Sequence, residues 1–141
     1  MKHLLLTTIA AVLLVGCGNS QESSTLAKQS SPTSTKSPPK EFYEAAENGN
    51  LEELKKFIND GVDIDANKGR DGETALHRAA TRGNLEAAKL LIEKGADPNV
   101  GREKRGYTPL DLANQTGHTK IADLLRKHGG KTREELKAEG K

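Results

Sequence analysis

The chain repeats itself at a spacing of thirty-four residues. Gly72, Thr74, Leu76, Gly83 and Gly95 recur as Gly106, Thr108, Leu110, Gly117 and Gly129. Stepped back by the same interval, Ala80, Gly83, Asn84, Leu85 and Gly95 become Ala46, Gly49, Asn50, Leu51 and Gly61. A fixed period in this range marks stacked supersecondary units, none of which can bury its apolar face alone. Composition agrees. Only 33% of the residues are hydrophobic, with no Trp, two Tyr and two Phe. That material cannot fill one large globular core, but it can seal a thin stack with Ala, Leu and Ile.

The units read as pairs of helices joined by a glycine turn. In the first, Glu41 to Asp71, Phe42, Ala45 and Ala46 share one face at helical spacing. Asn50 is placed to cap the next helix, with Glu53 three residues on as in a capping box. Leu51, Leu54, Phe57 and Ile58 form that helix's buried stripe, and Gly61 ends it. Val62 to Asp65 is expected to run extended into a polar turn. The second unit, Gly72 to Arg105, starts its first helix at Thr74 and lines it with Leu76, Ala79 and Ala80. Asn84 is expected to cap its second helix, whose stripe is Leu85, Ala88, Leu91 and Ile92. The third unit, from Gly106 to about Lys131, sets Pro109 in the first helical turn, where a missing amide costs nothing. Leu110, Leu112 and Ala113 face inward, then Ile121, Ala122, Leu124 and Leu125. Arg126 replaces Ile92 of the second unit, and Gly130-Lys131 stand where it has Ala96-Asp97, closing the stack with polar residues as a terminal repeat requires. Thr132-Arg133-Glu134-Glu135 is a capping box that opens a last short helix with Leu136 as its apolar contact.

Thr74-Ala75-Leu76-His77-Arg78-Ala79-Ala80, Gly83-Asn84-Leu85 and Leu90-Leu91-Ile92-Glu93-Lys94-Gly95-Ala96-Asp97-Pro98-Asn99 resemble an ankyrin repeat. The resemblance covers about residues 41–131. It implies an all-α solenoid of three helix-turn-helix units with hairpin loops, repeats at about 41–71, 72–105 and 106–131, and a C-terminal capping helix within a domain 41–141. The first unit departs from the pattern by lacking the Thr-Pro-Leu-His segment, and so resembles an end cap. Asp111 stands where the pattern has His. The period exceeds the usual one by a residue, which lengthens the loops at Asn67 to Asp71 and Val100 to Arg105.

The amino terminus is a mounting device. Met1-Lys2-His3 is basic, and Leu4 to Val15 is apolar apart from Thr7 and Thr8. That run is too short to span a bilayer and suits a secretory signal. It ends Leu14-Val15-Gly16-Cys17, which resembles the lipobox of bacterial lipoproteins. The resemblance implies a signal peptide at 1–16, cleavage after Gly16 and lipidation of Cys17, the sole cysteine. Gly18 in place of Asp favours the outer membrane, periplasmic side, in a Gram-negative cell. Residues 17–40 are rich in Ser, Thr, Gln, Lys and Pro and are expected to form a disordered tether of about 25 Å.

No constellation for catalysis is visible. His77, by the resemblance, hydrogen-bonds within and between repeats. His118 follows Gly117 at the usual capping place, and neither it nor His128 shares metal-ligand spacing with His77. Asp63-Asp65 and Asp97-Asn99 sit in no calcium loop and match the ankyrin loop pattern instead. There is no phosphate loop and no nucleophile beside a base. From Glu41 onward eighteen basic residues face nineteen acidic ones, which argues against nucleic acid. The expectation is therefore a non-enzymatic monomer without cofactor or metal, bound to a membrane by its lipid and to an unidentified envelope protein by its repeats. A ligand- or metal-dependent activity and a purely architectural role are the alternatives. Ankyrin domains bind through hairpin tips and the exposed side of the first helices. The matching positions are Arg70, Asp71, Glu73, Thr81, Arg82, Lys104, Arg105, Tyr107, Gln115 and Thr116, with Glu47 and Asn48 from the first unit.

Overall fold

Residues 37–67 and 71–140 are described in a computed structural model. They fold as seven helices and, among the described residues, no strands: α1 (Lys40–Asn48), α2 (Leu51–Asn59), α3 (Ala75–Arg82), α4 (Leu85–Glu93), α5 (Pro109–Thr116), α6 (Thr119–Lys127) and α7 (Arg133–Ala138). The signal segment, Cys17, most of the expected tether and Arg70 lie outside the described residues.

The helices come in antiparallel pairs because each first helix ends in a left-handed glycine, and α3 and α5 are also started by a threonine cap. Thr74, Thr108 and Thr132 are N-caps whose hydroxyls accept from the amides of His77, Asp111 and Glu135 at 3.4, 3.3 and 3.3 Å. Gly83 ends α3 in the left-handed region at φ 80°. A Cβ there would also fall 2.6 Å from Cε1 of His118, so the position excludes side chains twice over. The short glycine turn folds α4 back along α3, and the same device joins α1 to α2 and α5 to α6.

Stacking follows helix by helix. First helices pack on first helices, α1 on α3 on α5, and second on second, α2 on α4 on α6. The first helices bring alanines to the contact: Ala45, Ala46, Ala75, Ala79, Ala80 and Ala113 are buried. Leu54, Leu76, Leu91, Leu110, Ile121 and Leu125 are the large side chains sealed between the layers. Aromatic residues pack within the first unit. Phe42 meets Phe57 edge to face with centroids 6.1 Å apart. Tyr43 lies outside the expected stripe but is also buried, and its hydroxyl donates to the Ala66 carbonyl at 3.2 Å. Burial, and then the charge of Asp63, push its phenol above the ordinary 10.0.

Three local expectations need correction. Asn84 and His118 stand at N-cap positions but make no side-chain cap bond. Both reach back to the preceding unit instead. The Asn84 amide donates to the carbonyls of Ala46 and Glu47 at 3.1 and 2.5 Å, and the His118 ring lies over Gly83. Val62 to Asp65 is not extended throughout. Ile64 and Asp65 form a turn, closed where the Asp65 amide donates to Asp63 Oδ1 at 3.1 Å. An aspartate two residues back offers a nearer partner than any strand could.

Leu91 is fully buried in the middle unit, whereas Leu136 on α7 is only half-buried. Leu91→Ala should therefore cost about 2–5 kcal/mol and lower the thermal midpoint of the whole array, while Leu136→Ala costs much less. Equal shifts of the two midpoints in a melting experiment would contradict this order of burial.

Candidate protein-binding surface

The surface is held in register by hydrogen bonds at the starts of α3 and α5. The Thr74 amide donates to His77 Nδ1 at 3.2 Å, so the ring proton sits on Nε2, which donates to the Tyr107 carbonyl of the next unit at 3.0 Å. In the third unit Asp111 takes over with reversed polarity. Its Oδ2 accepts from the Thr108 amide at 2.9 Å and from the Arg133 amide of α7 at 2.8 Å. An imidazole hands a proton forward to a carbonyl, whereas a carboxylate receives one from an amide. The loops are tied in the same way. Asp65 Oδ1 accepts from the Asp97 amide at 2.9 Å, and Asn99 Oδ1 from the Lys131 amide at 2.8 Å. These loop oxygens thus serve backbone amides. Among the described residues no group of three or more His, Cys, Asp or Glu is placed to hold a metal.

Across this frame runs a chain of ion pairs that sequence reading missed. Glu47 of α1 accepts from Arg78 at 2.8 Å and from Arg82 Nε at 2.9 Å, both on α3. Glu73 lies 2.7 Å from Arg78 Nε and pairs also with Arg102 of the following loop. Arg82, Glu47, Arg78, Glu73 and Arg102 therefore form one chain running from α1 through the second unit to its outgoing loop. The hydrogen bond from Arg82 holds the Glu47 carboxyl below its ordinary 4.5, against the opposing effect of burial and with help from Arg78.

The ten expected contact positions divide accordingly. Arg70 lies outside the described residues. Glu73 is half-buried and consumed by the ion chain, as is the guanidinium of Arg82, although Arg82 remains exposed. The hydroxyls of Thr81 and Thr116 donate to carbonyls one turn back, at 2.9 and 2.7 Å. Asp71 and Lys104 are exposed loop partners 4.0 Å apart. Arg105 and Gln115 are exposed, and no polar contact engages their side chains among the described residues. Tyr107 is half-buried beneath Arg133, whose guanidinium carbon lies 4.7 Å from the ring centroid. Arg105, Arg133 and Tyr107 come together at one corner, and Lys104 shares their loop. Glu47 and Arg82 belong to another cluster, on α1 and α3. Arg78, Arg102 and Arg133 are the residues sequence reading passed over. Their partners lie roughly thirty positions away or on another loop, and no local pattern encodes such pairs.

A family model of ankyrin repeats in three copies matches residues 42–135. The chain belongs to the ankyrin repeat family, and its fold is a three-repeat ankyrin solenoid closed by α7. Ankyrin repeats indicate a protein–protein interaction module, and proteins built from them are generally non-enzymatic. A comparison with curated proteins returns no significant match.

Burial holds the His77 imidazole below its ordinary 6.5, with the bonds to the Tyr107 and Val100 carbonyls opposing it. The folded chain thus keeps the ring neutral where the unfolded chain protonates it. Stability is fully present above about pH 6.5 and is lost as pH falls from there toward the folded-state value. The melting midpoint should decline through that window, and His77→Gln should lower the midpoint overall while flattening the decline. An equally steep decline in the variant would assign the proton uptake to another group.

Proposed function

We propose that the chain is a membrane-anchored, non-enzymatic binding module of the bacterial cell envelope. In this reading lipidated Cys17 holds it to a membrane, residues 17–40 act as a tether, and the repeat domain 41–141 grips an envelope or secreted protein. The outer membrane is the favoured site in a Gram-negative cell. The single observation that supports binding most directly is the family membership, three ankyrin copies over residues 42–135. The anchor rests on the lipobox resemblance of Leu14-Val15-Gly16-Cys17.

Geometry narrows the binding positions. Glu73, Thr81 and Thr116 have internal partners, so they shape the surface more than they contact a ligand. Arg105 and Gln115 are exposed and retain their polar groups for a partner, and Lys104 is exposed with Asp71 as its one partner among the described residues. Tyr107 supplies an amphipathic ring at the same corner, the type of residue that anchors interfaces.

A photo-crosslinker placed at Gln115, and separately at Lys89 on α4, tests both halves of the proposal in intact cells. Capture of a protein from Gln115 and not from Lys89 is expected, with the complex floating with membranes. Cys17→Ser should leave an uncleaved precursor that takes up no fatty-acid probe. Capture from Lys89 alone would move the site to the second helices, and equal fatty-acid labelling of both forms would remove the anchor.

A further inference from the structure

Each loop between units leans on its successor, and the outermost one ends in a charge mismatch. Gly72 is covered by the following loop: a Cβ there would lie 2.6 Å from Glu103 Cγ and 2.8 Å from Glu103 N. The Glu103 carboxylate accepts from Asn67 at 3.1 Å. At this inner junction an acid covers the glycine. One period on, Gly106 is covered by Arg133 of α7, whose Cδ lies 3.4 Å from the site of a Cβ. A base now occupies the place of the acid.

Positive charge accumulates at that corner as a result. Arg133 spends one donor on the Arg105 carbonyl at 3.2 Å and stacks on Tyr107, but it forms no ion pair among the described residues. Neither Arg105 nor Lys137 forms an ion pair among the described residues. Lys104 reaches Asp71 at only 4.0 Å. Between the loop and α7 lies an open cleft of about 490 Å³, bordered by Gly101, Gly106, Arg133, Leu136 and Lys137. Of its two carboxylates Glu139 pairs with Lys131, whereas Asp97 keeps its charge and accepts from the Asn99 amide at 2.8 Å, leaving Arg133 and Lys137 in excess. The cleft is within the usual range for ligand sites, roughly 300–1,000 Å³.

We propose that this outer corner docks an acidic peptide segment of a protein partner, its carboxylates meeting Arg133 and Lys137 in the cleft and Arg105 on the loop beside it, and an apolar side chain resting on Leu136. The inference rests on the protein-binding reading above and adds the chemistry of the partner. The segment supplies the carboxylate that Glu103 supplies at the inner junction. A peptide chain fits the cleft beside half-buried Leu136, whereas a bilayer headgroup plane meets a flat basic face and leaves a cleft empty.

The test is fluorescence anisotropy with the full chain in neutral detergent and a short fluorescein-labelled peptide of Glu and Leu, against its Gln and Leu counterpart. The Glu peptide should bind about tenfold more tightly, and its binding should weaken with added salt. Arg105→Glu with Lys137→Glu should weaken it by about tenfold or more. Lys89→Glu with Lys120→Glu, which changes net charge equally on the second helices, should change it by less than about twofold. Equal affinity for the two peptides, equal loss with the two variant pairs, or recruitment to phosphatidylglycerol vesicles without peptide binding would overturn the proposal. If the Glu peptide fails while the Gln115 crosslinker still captures a protein, the acidic segment is wrong and the binding module stands. If the crosslinker captures nothing, the binding module itself fails.

Discussion

The hydrogen bond from His77 Nε2 to the Tyr107 carbonyl joins two units that cannot fold alone. The ring that donates it is fully buried and is oriented by the Thr74 amide on its other nitrogen. A buried polar group is costly unless every lone pair and proton is placed, so this arrangement sets the distance between units tightly. The alanines of α1, α3 and α5 then sit at one separation, and the leucines behind them fill one gap. Asp111 repeats the design with opposite polarity and so selects the element that comes next. A carboxylate needs a donor, and the Arg133 amide at the start of α7 supplies it. Replacing His by Asp thus suits a stack that ends in a capping helix.

The same frame governs which groups the surface offers. Glu47 and Glu73 draw Arg78, Arg82 and Arg102 into one ion chain that ties the first unit to the loop of the second. Both carboxylates are half-buried, and a chain that crosses from unit to unit opposes sliding of one against another. It also leaves the α1 and α3 side electrically settled. The unsettled side is the outer corner, where Arg105, Arg133 and Lys137 stand without carboxylate partners among the described residues.

Much of the fold could be read from residue spacing. The thirty-four-residue period, the Thr caps and the glycine turns act within a few residues of themselves, so their effects are written in order along the chain. Phe42, Ala45 and Ala46 already make a complete helical stripe, so spacing gives no signal for Tyr43, whose hydroxyl meets a carbonyl twenty-three residues on. Asn84 and His118 look like helix caps from spacing, and only the packed neighbour shows that they bond or cover the turn behind them. The candidate surface was less legible still. Glu73, Thr81 and Thr116 are polar residues at exposed-looking positions, and whether a polar group faces a partner or its own backbone depends on contacts no local pattern records. Arg133 belongs to the capping box that opens α7, yet its side chain also covers Gly106 and stacks on Tyr107.

Polar contacts between units make the repeats one cooperative body. The amides of Asp97, Lys131 and Arg133 test it most directly, because each donates to an oxygen of the preceding unit, namely Asp65, Asn99 and Asp111. All three lie near the surface, outside the hydrogen-bonding of any helix. Native-state hydrogen exchange should find them protected by nearly the same free energy as the core amides of α3, opening only when the whole array opens. Exchange at unfolded rates while α3 stays protected would show that the units are held by apolar packing alone.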